Sequence, residues 1–209
     1  QAGVARLLLA LLTAYLAGQI VAQPASRGHW WRAMLSALAM AIAGAWLVHA
    51  VGRLENRAPL MIATAIHQLM ATVWVGGVMQ LLVLWRAGRS LPQLREFFPR
   101  AVARFSPLGM AAVGILLGSS LGLAAGYIAT WSGVFGTGYG SLVAAKVVLL
   151  VLILGFAGLN YSAGRSWLHG KSSVRALTRV PTYVEIEMLL LIAVLFLAAT
   201  VSSQPPAVD

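Results

Sequence analysis

The chain has 209 residues, of which 60% are hydrophobic and only 10% charged, and its mean hydropathy is +0.84. A soluble domain carries about 25% charged residues, so most of this surface does not face water and no separate soluble domain is expected. The formal net charge of +10 would suggest nucleic acid in a soluble protein. Here the basic residues stand in short loops between apolar runs, which points to membrane topology and anionic headgroups and away from a nucleic-acid partner. The absence of cysteine excludes disulfides, thiolate metal sites and covalent c-type haem attachment.

A membrane helix needs about 20 mostly apolar residues. Six runs qualify: 4–22, 33–51, 60–84, 106–130, 139–161 and 183–202. None alternates with period two, which disfavours strands. The expected fold is all-α, a polytopic membrane bundle of about six transmembrane helices forming a single domain over residues 1–209. The first run is expected to be a span, not a signal peptide.

The loops set the orientation. The first holds Arg27 and Arg32, the third Arg86, Arg89, Arg95, Arg100 and Arg104, and the fifth Arg165, Lys171, Arg175 and Arg179. The opposite side has Arg6, Arg53 and Arg57. By the positive-inside rule the first, third and fifth loops are cytoplasmic, and both termini face out. In a bacterial inner membrane that side is the periplasm. Trp30, Trp31, Trp85, Trp131 and Trp167 lie near the expected span ends, as an interfacial aromatic belt requires.

Ionisable groups inside a bilayer cost several kcal/mol and usually serve a function. The second span places His49 within about one turn of the outer surface. The third, "AIHQLMATVWVGGVMQL", places His67 roughly 10 Å deep, and the fifth places Lys146 at a similar depth. Three helices therefore bring a nitrogen into the outer third of the bilayer. His67, Met70 and Trp74 stand at i, i+3 and i+7 and share a helix face. Imidazole and thioether suit Cu(I), with Met61 placed to guide an ion inward; plain packing is the alternative role for Met70 and Met61. Lys146 is a candidate gate, or snorkels to the surface. In the fourth span Gly114, Gly118, Gly122 and Gly126 recur every four residues, a spacing that lets helix backbones approach closely. Glu185 and Glu187 are expected to open the sixth span, where the helix dipole favours carboxylates. Asn160 closes the fifth and is expected to hydrogen-bond a neighbouring helix or headgroups. His29 and His169 fall in cytoplasmic loops and are expected to be solvated.

Several stretches together resemble the CopD/PcoD copper-resistance membrane proteins: "HQLMATVWVGG", "RFSPLGMAAVGILLGSSLGL", "YGSLVAAKVVLLVLILGFAGLN" and "EIEMLLLIAVLFLAATVSSQPP". The resemblance runs over roughly residues 60–206. Position by position it marks His67, Trp74, Gly76, Gly77, Phe105, Ser106, Tyr139, Gly140, Lys146, Asn160, Glu185, Pro205 and Pro206, with Gly76 and Gly77 read as helix-packing positions. It implies copper movement or handling at the inner membrane, with any periplasmic copper donor a separate protein. A more distant resemblance to HemJ-type haem membrane proteins implies haem b, with His49 and His67 as axial ligands.

Three functions follow as expectations. The leading one is copper handling: Cu(I) taken up near the outer face at His67, with His49, Met70 and Met61, and with Lys146, Trp74, Glu185 and Asn160 supporting or gating. The second is a haem-b redox protein. The third is a structural subunit of a larger membrane complex or homo-oligomer, docked through the glycine face. No P-loop is present and Asp209 is the only aspartate, so transport is expected to run without ATP hydrolysis by this chain. Binding or transport is favoured over enzymatic chemistry, since no Ser–His–Asp set, carboxylate pair or phosphate loop is found.

Overall fold

The computed structural model describes residues 2–23, 25–45, 57–127, 138–169 and 174–202. Over its described residues each expected run falls on a helix: α1 (Ala2–Ala22), α2 (Arg27–Ala45), α3 (Arg57–Ser90), the single turn α4 (Pro92–Arg95), α5 (Phe98–Tyr127), α6 (Gly138–Leu168) and α7 (Val174–Ser202). No strand occurs among the described residues. His49, Arg53, Trp131, Lys171, Pro205 and Pro206 lie outside them.

Four stretches are long and apolar enough to cross a membrane: Arg57–Ser90, Pro92–Gly126, Gly140–Trp167 and Thr178–Thr200; a shorter apolar stretch, Leu7–Ile20, lies in α1. Their outward faces are apolar. Val147, Val148, Val151 and Leu152 are exposed along α6, and Leu189, Ile192, Leu195 and Phe196 along α7. Each set follows helical spacing and forms a continuous stripe, larger than a soluble monomer leaves in water. Lipid is the solvent these stripes fit, and the chain is an all-α, multi-pass membrane protein.

Several helices outrun the apolar runs that announced them. α3 has 34 residues, about 50 Å at 1.5 Å per residue, against a hydrocarbon core of about 30 Å. Hydropathy marks the lipid-facing part, whereas backbone hydrogen bonding carries the helix on into the headgroup region. α3 stops where Pro92 follows: Leu91 is extended, at φ −124° and ψ 91°, as the residue before a proline prefers. Gly88 permits the reversal, because a Cβ there would stand 3.2 Å from the Arg95 backbone.

One boundary changes the reading of the acidic residues. α7 begins at Val174 and runs through Pro181, so Glu185 and Glu187 lie inside the helix and do not cap its start. Proline in the second turn removes one N–H and does not end the helix.

The chain divides into two compact units. The first comprises residues 1–69 and 119–126. In it α1 pairs with α2, and the hydroxyls of Thr13 and Ser36 meet at 2.7 Å. Thr13 also donates to Leu9 O at 2.7 Å, so these buried polar groups are satisfied without water. The second unit comprises residues 70–118 and 127–209, with α6 paired to α7. Its core is built on Val78, Val102, Ile153, Val180 and Val184, all fully buried. At the contact of α5 and α6, a Cβ on Gly164 would lie 3.2 Å from Ala103 Cα. The absent side chain is what lets the two backbones approach.

Candidate functional site

In the first unit the polar feature is His67. Its ring is half-buried, and Nδ1 lies 3.3 Å from Ser119 Oγ and 3.2 Å from Ser120 Oγ. A hydroxyl can donate or accept, so the pair serves either imidazole tautomer and restrains the ring. Thr64, one turn earlier on α3, is buried and turns its hydroxyl to Leu60 O at 2.8 Å. Met61 is half-buried on the same helix. Among the described residues, no three His, Asp or Glu side chains are grouped to hold a metal ion.

The second unit contains a polar cluster of a different kind. Glu187 on α7 is 3% exposed, Trp74 on α3 is 3% and Asn160 on α6 is 6%. Trp74 Nε1 donates to Glu187 Oε1 at 3.1 Å, and Asn160 Nδ2 donates to Oε2 at 2.9 Å. Each carboxylate oxygen thus receives one neutral N–H. The amide orientation of Asn160 follows from chemistry, since only its nitrogen can donate to a carboxylate. That leaves Asn160 Oδ1 buried without a hydrogen-bond partner. Beside the cluster is a cavity of about 30 Å³, also lined by Phe105, Ser106 and Met110.

Helical spacing explains how the three meet. Val180, Val184, Glu187 and Met188 share the buried face of α7. Trp74 and Val78 do so on α3, and Ile153 and Asn160 on α6. Glu185, two residues from Glu187, is turned by about 200° around the helix. It faces Arg89 Nη2 at 3.7 Å and Arg86 Nε at 4.0 Å, in a partly exposed position. The residue marked by resemblance is therefore the surface member of the pair, and the buried member is Glu187. Its place on the apolar face of "VEIEMLLL" was the signal in the sequence. Ser119 and Ser120 carried no comparable mark, because short hydroxyls in an apolar run are common.

The other candidates fall in various places. Met70 packs against the apolar core of the second unit. Lys146 on α6 is partly buried. Gly77 closes on the Phe105 ring and Gly126 on Leu60, whereas a Cβ at Gly76, Gly114, Gly118 or Gly122 would meet open space. Among the described residues the four-residue glycine stripe is thus largely unfilled, a face open to the dimerisation that its spacing also suits.

Residues 99–201 match the family model described as Copper resistance protein D. The match takes in nearly half of the chain. The matched region contains Ser119, Ser120, Lys146, Asn160 and Glu187, and His67 and Trp74 precede it. The chain is also 27% identical over 180 residues to Copper transport protein CutJ of Bacillus subtilis (strain 168). That alignment covers 86% of this chain but 31% of the relative, so the chain spans about a third of the length of the protein it resembles. No solved structure matches it.

Proposed function

We propose that this CopD-like chain binds Cu(I) near the outer face of a bacterial inner membrane and aids its transport or detoxification, with both termini on the periplasmic side. The observation that carries the reading is His67, an imidazole in an apolar helix whose Nδ1 is held by Ser119 and Ser120. Such partners orient a ligating ring and tune its affinity. The description of the matched family and the printed name of the relative, a copper transport protein, make copper the cargo to test first. Met61 would supply a soft thioether donor on α3. His49 would add a second imidazole, and Lys146 would limit cation passage on α6. A separate periplasmic copper-binding protein would deliver the ion.

The test is metal analysis together with a reduced-minus-oxidised absorption spectrum of the full chain purified in detergent. Near-stoichiometric copper without a Soret band, lost in His67→Ala, is expected. A Soret band lost in the same variant overturns the reading in favour of haem b. A chain with neither overturns metal binding.

A further inference from the structure

The cluster of Trp74, Asn160 and Glu187 has an unmet requirement. Glu187 is buried, and the donors on its two oxygens are neutral. An ionised carboxylate so placed needs a positive charge or a proton. None of the described residues lining the adjacent cavity is Lys, Arg or His, and Glu187 is the only titratable one among them. The nearest acidic neighbour on α7, Glu185, faces Arg86 and Arg89 instead.

The cavity offers acceptors. Asn160 Oδ1 has no partner. The Ser106 hydroxyl has committed its hydrogen to Val102 O at 2.7 Å, so only its lone pairs remain. The Trp74 N–H and one of the two N–H bonds of Asn160 are spent on the carboxylate, so acceptors outnumber the remaining donor. A donor or a cation is the occupant these groups suit. The space of about 30 Å³ exceeds the roughly 10–15 Å³ that one water molecule needs, so it admits a small ion together with a water. The oxygens of Glu187, Asn160 and Ser106 outnumber the one thioether, Met110, which favours a hard ion over a soft one.

We propose that the Trp74–Asn160–Glu187 cavity is a binding site for one small hard monovalent cation, either a proton carried on the carboxylate or a sodium ion held between Glu187 and Asn160 Oδ1. The proposal does not rest on copper binding at His67.

The experiment uses the copper-free full chain in detergent. Infrared difference spectra are recorded across acid to neutral pH. Melting temperature is followed in NaCl against choline chloride at constant ionic strength. For a proton site, a carboxylic C=O band appears on acidification and is absent from Glu187→Gln. For a sodium site, saturating Na⁺ raises the melting temperature by about 5 °C, and the rise is lost in Glu187→Gln. Asn160→Ala keeps the carboxylate but removes the orphaned carbonyl; it is expected to weaken the sodium response about tenfold or to shift the carboxyl band. Wild-type protein showing neither response overturns the proposal and leaves water as the occupant, whether or not the variants fold. A response that survives unchanged in both variants overturns it as well, by placing the ion elsewhere.

Discussion

Replacing Trp74 by Phe keeps an aromatic ring on α3 but deletes the Nε1–H that reaches Glu187 Oε1 at 3.1 Å. Two effects combine. A hydrogen bond to a charged acceptor contributes about 1.5–3 kcal/mol. Shrinking an indole to a phenyl at a position only 3% exposed adds about 1 kcal/mol for lost contacts. The single variant is therefore expected to be less stable by about 2–4 kcal/mol. The sharper quantity is the coupling. In a Glu187→Gln background the acceptor is neutral, so Trp74→Phe should cost about 1–2 kcal/mol less than in the wild type. Unfolding free energies from SDS titration in mixed micelles, measured for the four members of the cycle, give the number directly. Additivity within about 0.5 kcal/mol would refute the bond to an ionised Glu187 as a real contributor. Trp74 would then be a packing residue and Glu187 would have to be satisfied in another way.

Other outcomes follow from the same geometry. Gly77→Val drives a side chain into the Phe105 ring and should destabilise the chain by about 1–3 kcal/mol, whereas Gly76→Ala, which meets open space, should change stability by less than about 0.5 kcal/mol; the same titration reads both. Glu185→Gln removes only partly exposed ion pairs with Arg86 and Arg89 and is expected to cost no more than about 1 kcal/mol, with a thermal melt as the check. Ser119→Ala or Ser120→Ala alone should leave copper affinity nearly unchanged, because the other hydroxyl still meets Nδ1 of His67. The double variant should weaken it about 10-fold or more, as read by competition with a Cu(I) chelator.

The apolar runs were enough to place a helix at each expected position, because a membrane span must satisfy its backbone internally and be apolar along its length. Both properties are local and visible in composition. The exposed valine and leucine stripes of α6 and α7 follow from the same rule. The resemblance to the copper-resistance family was legible too, from stretches such as "EIEMLLLIAVLFLAATVSSQPP" and "RFSPLGMAAVGILLGSSLGL". Lengths were less so: α3 and α7 extend beyond their apolar cores, since hydrogen bonding continues after hydropathy falls and Pro181 does not interrupt it.

Partnership was a different matter. Sequence placed a histidine on α3 and carboxylates on α7, but it had no means of pairing His67 with Ser119 and Ser120, more than fifty positions away. Nor could it join Trp74, Asn160 and Glu187 across three helices. Such contacts depend on the rotation of each helix about its own axis, which is set by the packing of side chains such as Val78, Val102, Ile153, Val180 and Val184. The choice between Glu185 and Glu187 shows the division. Both are acidic and stand two residues apart, and a helix turns them about 200° from one another. Local chemistry made them equivalent; the packed core decided that one would face arginines and the other would be buried beside a cavity.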